Sequence, residues 1–199
     1  MINELTAMTK SANIEFNVAD LIKRRKSSRA FSTKQVEPEK IKSLFEAARW
    51  SASSMNEQPW QYLFATREQP ELWNKFFSVL NEGNRSWVQN VPLLIFSVTR
   101  KIFKRFNSPN AYTLYDLGAA NTLLSLQAVD LGLQVRQMAG YDHQKAREIF
   151  NVPDEFELGV MMAVGYPAPI EEMPEDVRAK ELAVRERLLQ ENFVKNGIF

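Results

Sequence analysis

A chain of 199 residues and 23.0 kDa is long enough to bury a sizeable core and is expected to form one domain over residues 1–199. Its 25 Lys and Arg nearly cancel 24 Asp and Glu, so the molecule as a whole has no field to gather nucleic acid or an anionic membrane. Cysteine is absent and His143 is the lone imidazole, which removes disulfide frameworks, thiol nucleophiles, structural zinc and most Ser-His-Asp arrangements. No metal is expected, and the chemistry is expected to come from a borrowed cofactor.

In chain order, Asn17 suits the N-cap of a short helix over 18–23 that runs into Arg24-Arg25-Lys26. Pro38 suits the first position of a second helix ending near Trp50, with Ile41, Leu44, Phe45 and Ala48 on one apolar face. Residues 51–59 are small and polar and read as a loop before a strand over 61–66. Pro70 opens an amphipathic helix carrying Leu72, Trp73, Phe76, Phe77 and Leu80, and 81–84 read as a polar turn. The run 93–98 is apolar but for Ser97, as a strand buried on both faces would be.

Residues 112–131 are rich in Ala and Leu around most of the helical circumference, and Gly132 stands where a left-handed cap ends a helix. That segment is expected to be the central buried helix. A short strand over 135–138, a helix capped by Asp142 and a strand over 160–164 follow, and 174–192 read as a charged amphipathic helix. The order implies an α+β fold, a mainly antiparallel or mixed sheet flanked by helices. The apolar tail 193–199 calls for something to pack on, with a second copy of the chain as one candidate.

The longest apolar run, 91–98, falls short of the ~20 residues of a membrane helix. Residues 1–10 lack the basic start and apolar stretch of a signal peptide, so a cytoplasmic protein is expected. G-x-G-x-x-G after a strand, G-x-x-x-x-G-K-[ST] and H-E-x-x-H are all missing, which disfavours a Rossmann site, a P-loop and a zincin.

Four polar patches remain, each with an ordinary reading beside a functional one. The stretch Arg25-Lys26-Ser27-Ser28-Arg29 suits a solvated helix end whose cations complement the dipole. Ser53-Ser54-Met55-Asn56-Glu57-Gln58-Pro59-Trp60 suits a polar loop, and Gln137-Met138-Ala139-Gly140-Tyr141-Asp142 suits a strand turning into a capped helix. Arg185-Glu186-Arg187 suits an exposed helix face.

Taken in order, however, the patches resemble the nitroreductase family from Val18 to about Asn192. An Arg-x-Ser-x-Arg/Lys-x-Phe signature stands at Arg25 to Phe31, and an Ala-x-x-Ala/Pro-Ser-x-x-Asn-x-Gln-Pro-Trp segment closes on Asn56, Gln58, Pro59 and Trp60. Gly132-Leu133, Gly140-Tyr141-Asp142 and Gly165-Tyr166-Pro167 complete the progression. The resemblance implies a homodimer with a C-terminal extension packed on the partner subunit and FMN held non-covalently. It also implies NADH or NADPH as electron donor and small electron-poor acceptors such as nitroaromatics or quinones, reduced by a ping-pong mechanism.

On the same resemblance, Arg25, Lys26, Ser27 and Arg29 lie along the ribityl chain and pyrimidine edge, while Arg185 and Arg187, on the last helix, grip the phosphate. Ser53, Ser54 and Asn56 reach the flavin from the other subunit, and Asn84 contributes from the loop around Gly83. The backbone of Met138, Ala139 and Gly140 supports N5, the atom that receives hydride, so no side chain is assigned as catalytic. This sequence departs from the family at Ala52, at Ala139, and at Trp87, where a lysine is frequent. A flavin-binding module without turnover and a reductive dehalogenase of the same superfamily are the alternatives, and a nucleic-acid binder using Arg24, Arg25 and Lys26 is disfavoured by the balanced charge.

Overall fold

The computed structural model describes residues 14–198; the segment 1–13, with the reading made on 1–10, and the final Phe199 lie outside them. Its framework is a four-stranded antiparallel sheet of β1 (Trp60–Thr66), β2 (Leu93–Arg100), β5 (Gln134–Met138) and β6 (Phe156–Gly165), in the order β1-β2-β6-β5. Helices cover both faces, which explains why β2 is apolar at consecutive positions. Alternate residues of a strand point to opposite faces. Leu94, Phe96 and Val98 therefore enter one core with Trp73, Phe76 and Met161, while Leu93 and Ile95 enter the other with Leu44, Leu124 and Met162.

The first core packs beneath α3 (Pro70–Val79), α4 (Glu82–Val88) and α6 (His143–Ile149). The second packs beneath α2 (Pro38–Arg49) and α5 (Thr113–Asp130). Proline stands in the first turn of both α2 and α3, where its missing N–H costs nothing. The Asp142 side chain accepts from the Lys145 N–H and starts α6, and Gly132 adopts φ +74 just after α5, as a left-handed terminator should.

Four expectations are corrected. The polar stretch at 81–84 is the start of α4: Asn81 is its N-cap and accepts from the Asn84 N–H, a signal obscured by Gly83. The first helix, α1 (Asp20–Arg24), begins after Ala19, and Asn17 instead accepts from the Lys23 ammonium. Helix α5 is not buried all round, since Tyr115 is 80% exposed and Leu114 is also on the surface. The charged segment 174–192 holds a helix only over α7 (Glu175–Leu182), after which Ala183 turns extended. A small hairpin of β3 (Ile102–Phe103) and β4 (Ser108–Pro109) carried no signal strong enough to be read from the sequence.

The register of β2 on β6 slips between Phe96 and Val98, leaving Ser97 fully buried at a bulge. Its hydroxyl donates to the Val160 carbonyl at 2.9 Å and accepts from the Val160 N–H at 3.0 Å, replacing the ladder contacts that the bulge interrupts. Gly159 sits opposite. A Cβ there would lie 2.7 Å from the Ser97 carbonyl and 2.5 Å from the Leu117 side chain, with backbone on one side and core on the other. Gly159→Ala is therefore expected to destabilise the fold by about 1–3 kcal/mol through overpacking, measured as a lowered urea midpoint; an unchanged midpoint would show that the bulge can relax.

Candidate functional site

The C-terminal end of α1 and the segment after α7 enclose a cavity of about 240 Å³. Arg25, Lys26, Ser27 and Arg29 line one side, and Lys180, Glu181, Arg185 and Arg187 line the other. Six of the lining residues are cationic, namely Arg25, Lys26, Arg29, Lys180, Arg185 and Arg187, against the one carboxylate of Glu181.

That carboxylate is fully engaged. Its side chain is 4% exposed, and one oxygen accepts from the Ser28 hydroxyl at 2.8 Å and pairs with Lys26 at 3.1 Å. The other oxygen accepts from the Arg29 N–H at 2.5 Å. Ser28 in turn accepts from the Ala30 N–H, so the 25–30 segment is pinned to α7 through Glu181. Burial first, then the charges of Arg185 and Arg187, hold the Arg25 guanidinium below its ordinary value. The lining is thus an excess of positive charge held together by backbone bonds, an arrangement that an anion with several oxygens would relieve.

Arg185 and Arg187 occupy the cavity as expected, but from an extended segment. The reason lies in Arg185, which donates to the Lys23 carbonyl at 2.7 Å and the Arg25 carbonyl at 2.5 Å. Those carbonyls end α1, where unpaired acceptors and the negative pole of the helix attract a cation. Reaching them requires the chain to leave α7. Part of the Arg185 fork is therefore committed to the protein, whereas among the described residues Arg187 donates to the adjacent Glu186 carbonyl alone and Arg25 to the Ser27 hydroxyl at 3.3 Å.

A second group of expected residues gathers at the end of β5. Asn84 on α4 donates through Nδ2 to the Gly140 carbonyl at 2.9 Å, and the Asn81 N–H donates to the same oxygen at 3.1 Å. A Cβ on Gly140 would collide with the amides of both asparagines, so any larger residue there would have to displace the Asn84 amide from the Gly140 carbonyl. Met138 is buried in the core and Ala139 is exposed, which leaves backbone as what this strand end presents.

Ser53, Ser54 and Asn56 lie elsewhere in the same chain, on a loop against α5, and none of them lines the cavity. Met55, Asn56 and Gln58 all have φ between 50 and 56, the left-handed region that costs a side-chain-bearing residue energy. The loop is held in that shape by the Gln58 N–H donating to the Ser53 hydroxyl and by the Ser54 N–H donating to both oxygens of Asp116 at 3.1 and 3.2 Å. Asp116 is 2% exposed. Sequence reasoning passed over it, as it did Glu181 and Arg136, because a single charge inside a helix or strand carries no pattern. Among the described residues no cluster of His, Cys, Asp or Glu is arranged to hold a metal ion, and no helix is long and apolar enough to cross a membrane.

The chain belongs to the nitroreductase family, whose model matches residues 22–166. Among solved structures it is similar to an oxidoreductase containing FMN, at 29% identity over 94% of this chain and 96% of that one, with a TM-score of 0.88. A protein from Desulfovibrio desulfuricans solved in complex with FMN shares the fold at 20% identity, over 93% of this chain and 99% of that one, with a TM-score of 0.70. A curated relative, iodotyrosine deiodinase from Thermotoga neapolitana, is 24% identical over 171 residues, covering 74% of this chain and 87% of its own.

The Asp116 anchor has a pH signature. Burial lifts its carboxyl above the ordinary 3.8, and the Ser54 N–H pulls it partway back. With the folded value raised, its contribution to stability is complete below pH 3.8 and is lost as pH rises through the raised value. Asp116→Asn keeps an acceptor for Ser54 and has no charge to bury. Its urea midpoint is expected to stay flat over the range in which the wild-type midpoint declines, and parallel declines would contradict the assignment.

Proposed function

We propose that this protein is an FMN-dependent oxidoreductase that takes electrons from NADH or NADPH and passes them to small, flat, electron-poor acceptors such as nitroaromatics or quinones. The observation that carries the reading is the cavity at the end of α1, where six cations surround a carboxylate whose oxygens are already engaged. A dianionic phosphate fits that excess of guanidinium donors. When bound, FMN supplies the two-electron chemistry that no side chain here provides.

The residues of the chain then divide the work. Arg187 and Arg25, most of whose donors have no partner among the described residues, hold the phosphate, and Arg185 holds the C-terminal segment over it. Lys26, Ser27 and Arg29 present donors along the cofactor from one rim. Met138, Ala139 and Gly140 offer backbone at the end of β5, fixed by Asn84. Without a second nucleotide-binding motif, the donor and acceptor occupy one place in turn, and the chain's task is to orient each.

The expected partner is a second copy of the chain. Tyr115, Leu114, Trp50 and Met55 leave apolar surface exposed on and near α5, and Phe193 and Ile198 do so on the C-terminal segment. Because Ser53, Ser54 and Asn56 are set apart from the cavity within one chain, the reading has them complete the cavity of the partner. The likeness to iodotyrosine deiodinase favours a second reading, reductive removal of halogen from a phenol. Halide release from a halogenated phenol, measured against reduction of a nitroaromatic, distinguishes the two.

The purified protein is expected to be yellow, with about one FMN per chain released on denaturation; colourless protein that takes up no FMN would overturn the reading. Arg187→Ala is expected to weaken FMN retention while leaving the thermal midpoint of the FMN-free protein near wild type. Arg185→Ala is expected to lower both, because it also frees the end of α1. Equal effects of the two substitutions on stability would contradict this division.

Sharing of the site between subunits is tested by mixing lesions. Arg25→Glu and Asn56→Asp are each expected to be nearly inactive alone. After joint unfolding and refolding, about half the dimers are mixed and carry one intact site each, so roughly a quarter of wild-type activity should return. No recovery, with mixed dimers verified by mass spectrometry, would place each flavin within one chain.

A further inference from the structure

We propose that Arg136 is a further residue of the cofactor site: it locks together the three segments that face the flavin and adds a fixed positive charge beside it. The inference rests on the FMN reading above. Arg136 belongs to β5, two residues before Met138, so it is rigidly coupled to the strand end that Asn84 fixes. Its Nη1 donates to the Ser27 carbonyl at 2.6 Å, in the middle of the Arg25 to Arg29 segment. Its guanidinium lies over the indole of Trp87, 5.5 Å from the ring centre, and Trp87 belongs to α4, the helix that carries Asn84. The far face of the arrangement is closed by Phe31, stacked on Trp87 with centroids 6.0 Å apart and planes 20° from parallel. One side chain therefore joins β5, α4 and the 25–29 segment.

A half-buried arginine placed here only for packing would be expected to have a carboxylate partner, since taking a charge out of water costs energy unless it is paired. Arg136 instead meets a backbone carbonyl and an aromatic face, and its Nε is buried without a hydrogen-bond partner. Burial and the charge of Arg29 depress its guanidinium, with Glu181 opposing them, and the oxygens of Glu181 are already taken by Lys26, Ser28 and the Arg29 N–H. Among the described residues Arg136 forms no ion pair and Glu181 offsets its charge only from a distance, so the remaining charge is available to an anion in the neighbouring cavity. Reduction adds negative charge to a bound flavin, so a fixed cation close by favours the reduced form and raises the reduction potential.

The test uses the full-length protein, with FMN affinity measured by fluorescence quenching and the midpoint potential by anaerobic titration against a reference dye. Arg136→Gln is expected to raise the Kd for FMN at least tenfold and to lower the potential. A tenfold preferential loss of the reduced cofactor corresponds to about 30 mV for a two-electron couple. Arg136→Lys keeps the charge but loses the fork, so it is expected to weaken FMN binding while holding the potential near wild type. A purely structural arginine would leave the potential of bound FMN unchanged in both variants, and that result overturns the proposal while the FMN reading stands. If Arg136→Gln does not fold, Arg136→Lys decides: wild-type affinity in it would refute the lock, and a potential lowered as far as 30 mV would refute the role of charge. Wild-type protein that binds no FMN overturns the flavin reading and this inference together, a result read before any variant is made.

Discussion

Like charges crowded around one cavity repel, and along one rim, at Lys26 and Arg29, Glu181 holds the lining to α7 against that repulsion. Two unit charges ~7 Å apart at an effective dielectric of ~20 repel by about 2 kcal/mol, so several such pairs outweigh any one hydrogen bond in the lining. The contacts of Glu181 offset this locally by tying Lys26, Ser28 and the Arg29 N–H to α7. They do nothing for Arg25, Arg185 and Arg187, whose mutual repulsion remains. The geometry therefore stores the free energy that a polyanionic ligand releases on binding, and the proposed cofactor is the species that makes the arrangement stable.

The rest of the fold serves to hold that lining in register. The central strands have little freedom to shear, because sliding β2 on β6 would part Ser97 from Val160 and pull apart two cores at once. β5 is the outer strand of that sheet, paired with β6 from Gln134 opposite Gly165 to Met138 opposite Met161. Its far end places Gly140 under the asparagines of α4. Its near end places Gln134 against the Ala30 carbonyl, where the side chain donates a short hydrogen bond. Both ends of one five-residue strand are thus bound to segments of the site, so the rigidity of the sheet is passed directly to the cofactor-facing backbone.

The sequence made most of this legible where the physics is periodic or local. Helices α2, α3 and α5 and strand β2 follow from apolar spacing and from Pro38, Pro70 and Gly132, because packing and chain geometry select those residue types directly. The 25–29 segment was legible through its resemblance to the family signature. What escaped was tertiary. Nothing in Glu-Leu-Ala-Val-Arg announces that α7 ends at Leu182 because Arg185 is drawn to the end of α1. Likewise, Asp116 reads as one polar residue in an apolar helix until the strained loop at Met55 and Asn56 is seen resting on it.

The attachment of Arg185 bears on how binding and order are coupled. The segment after α7 has few buried residues and is held to the body chiefly through polar contacts, among them Arg185 on the α1 carbonyls and the Gln190 N–H on the Glu15 carboxylate. Segments fixed by a few exposed or half-exposed hydrogen bonds open at low free energy, whereas the sheet opens only with the whole fold. The lining of the cavity is therefore built from one rigid side, the 25–29 segment braced by Glu181 and by Arg136 on the Ser27 carbonyl, and one side that is easily displaced. An anion bound between them adds contacts to both and stabilises the closed form by its affinity for that form over the open one. On the proposed reading the C-terminal segment would admit the cofactor from solvent and then retain it, so that a site lined by repelling cations loads a large anion without a permanent opening.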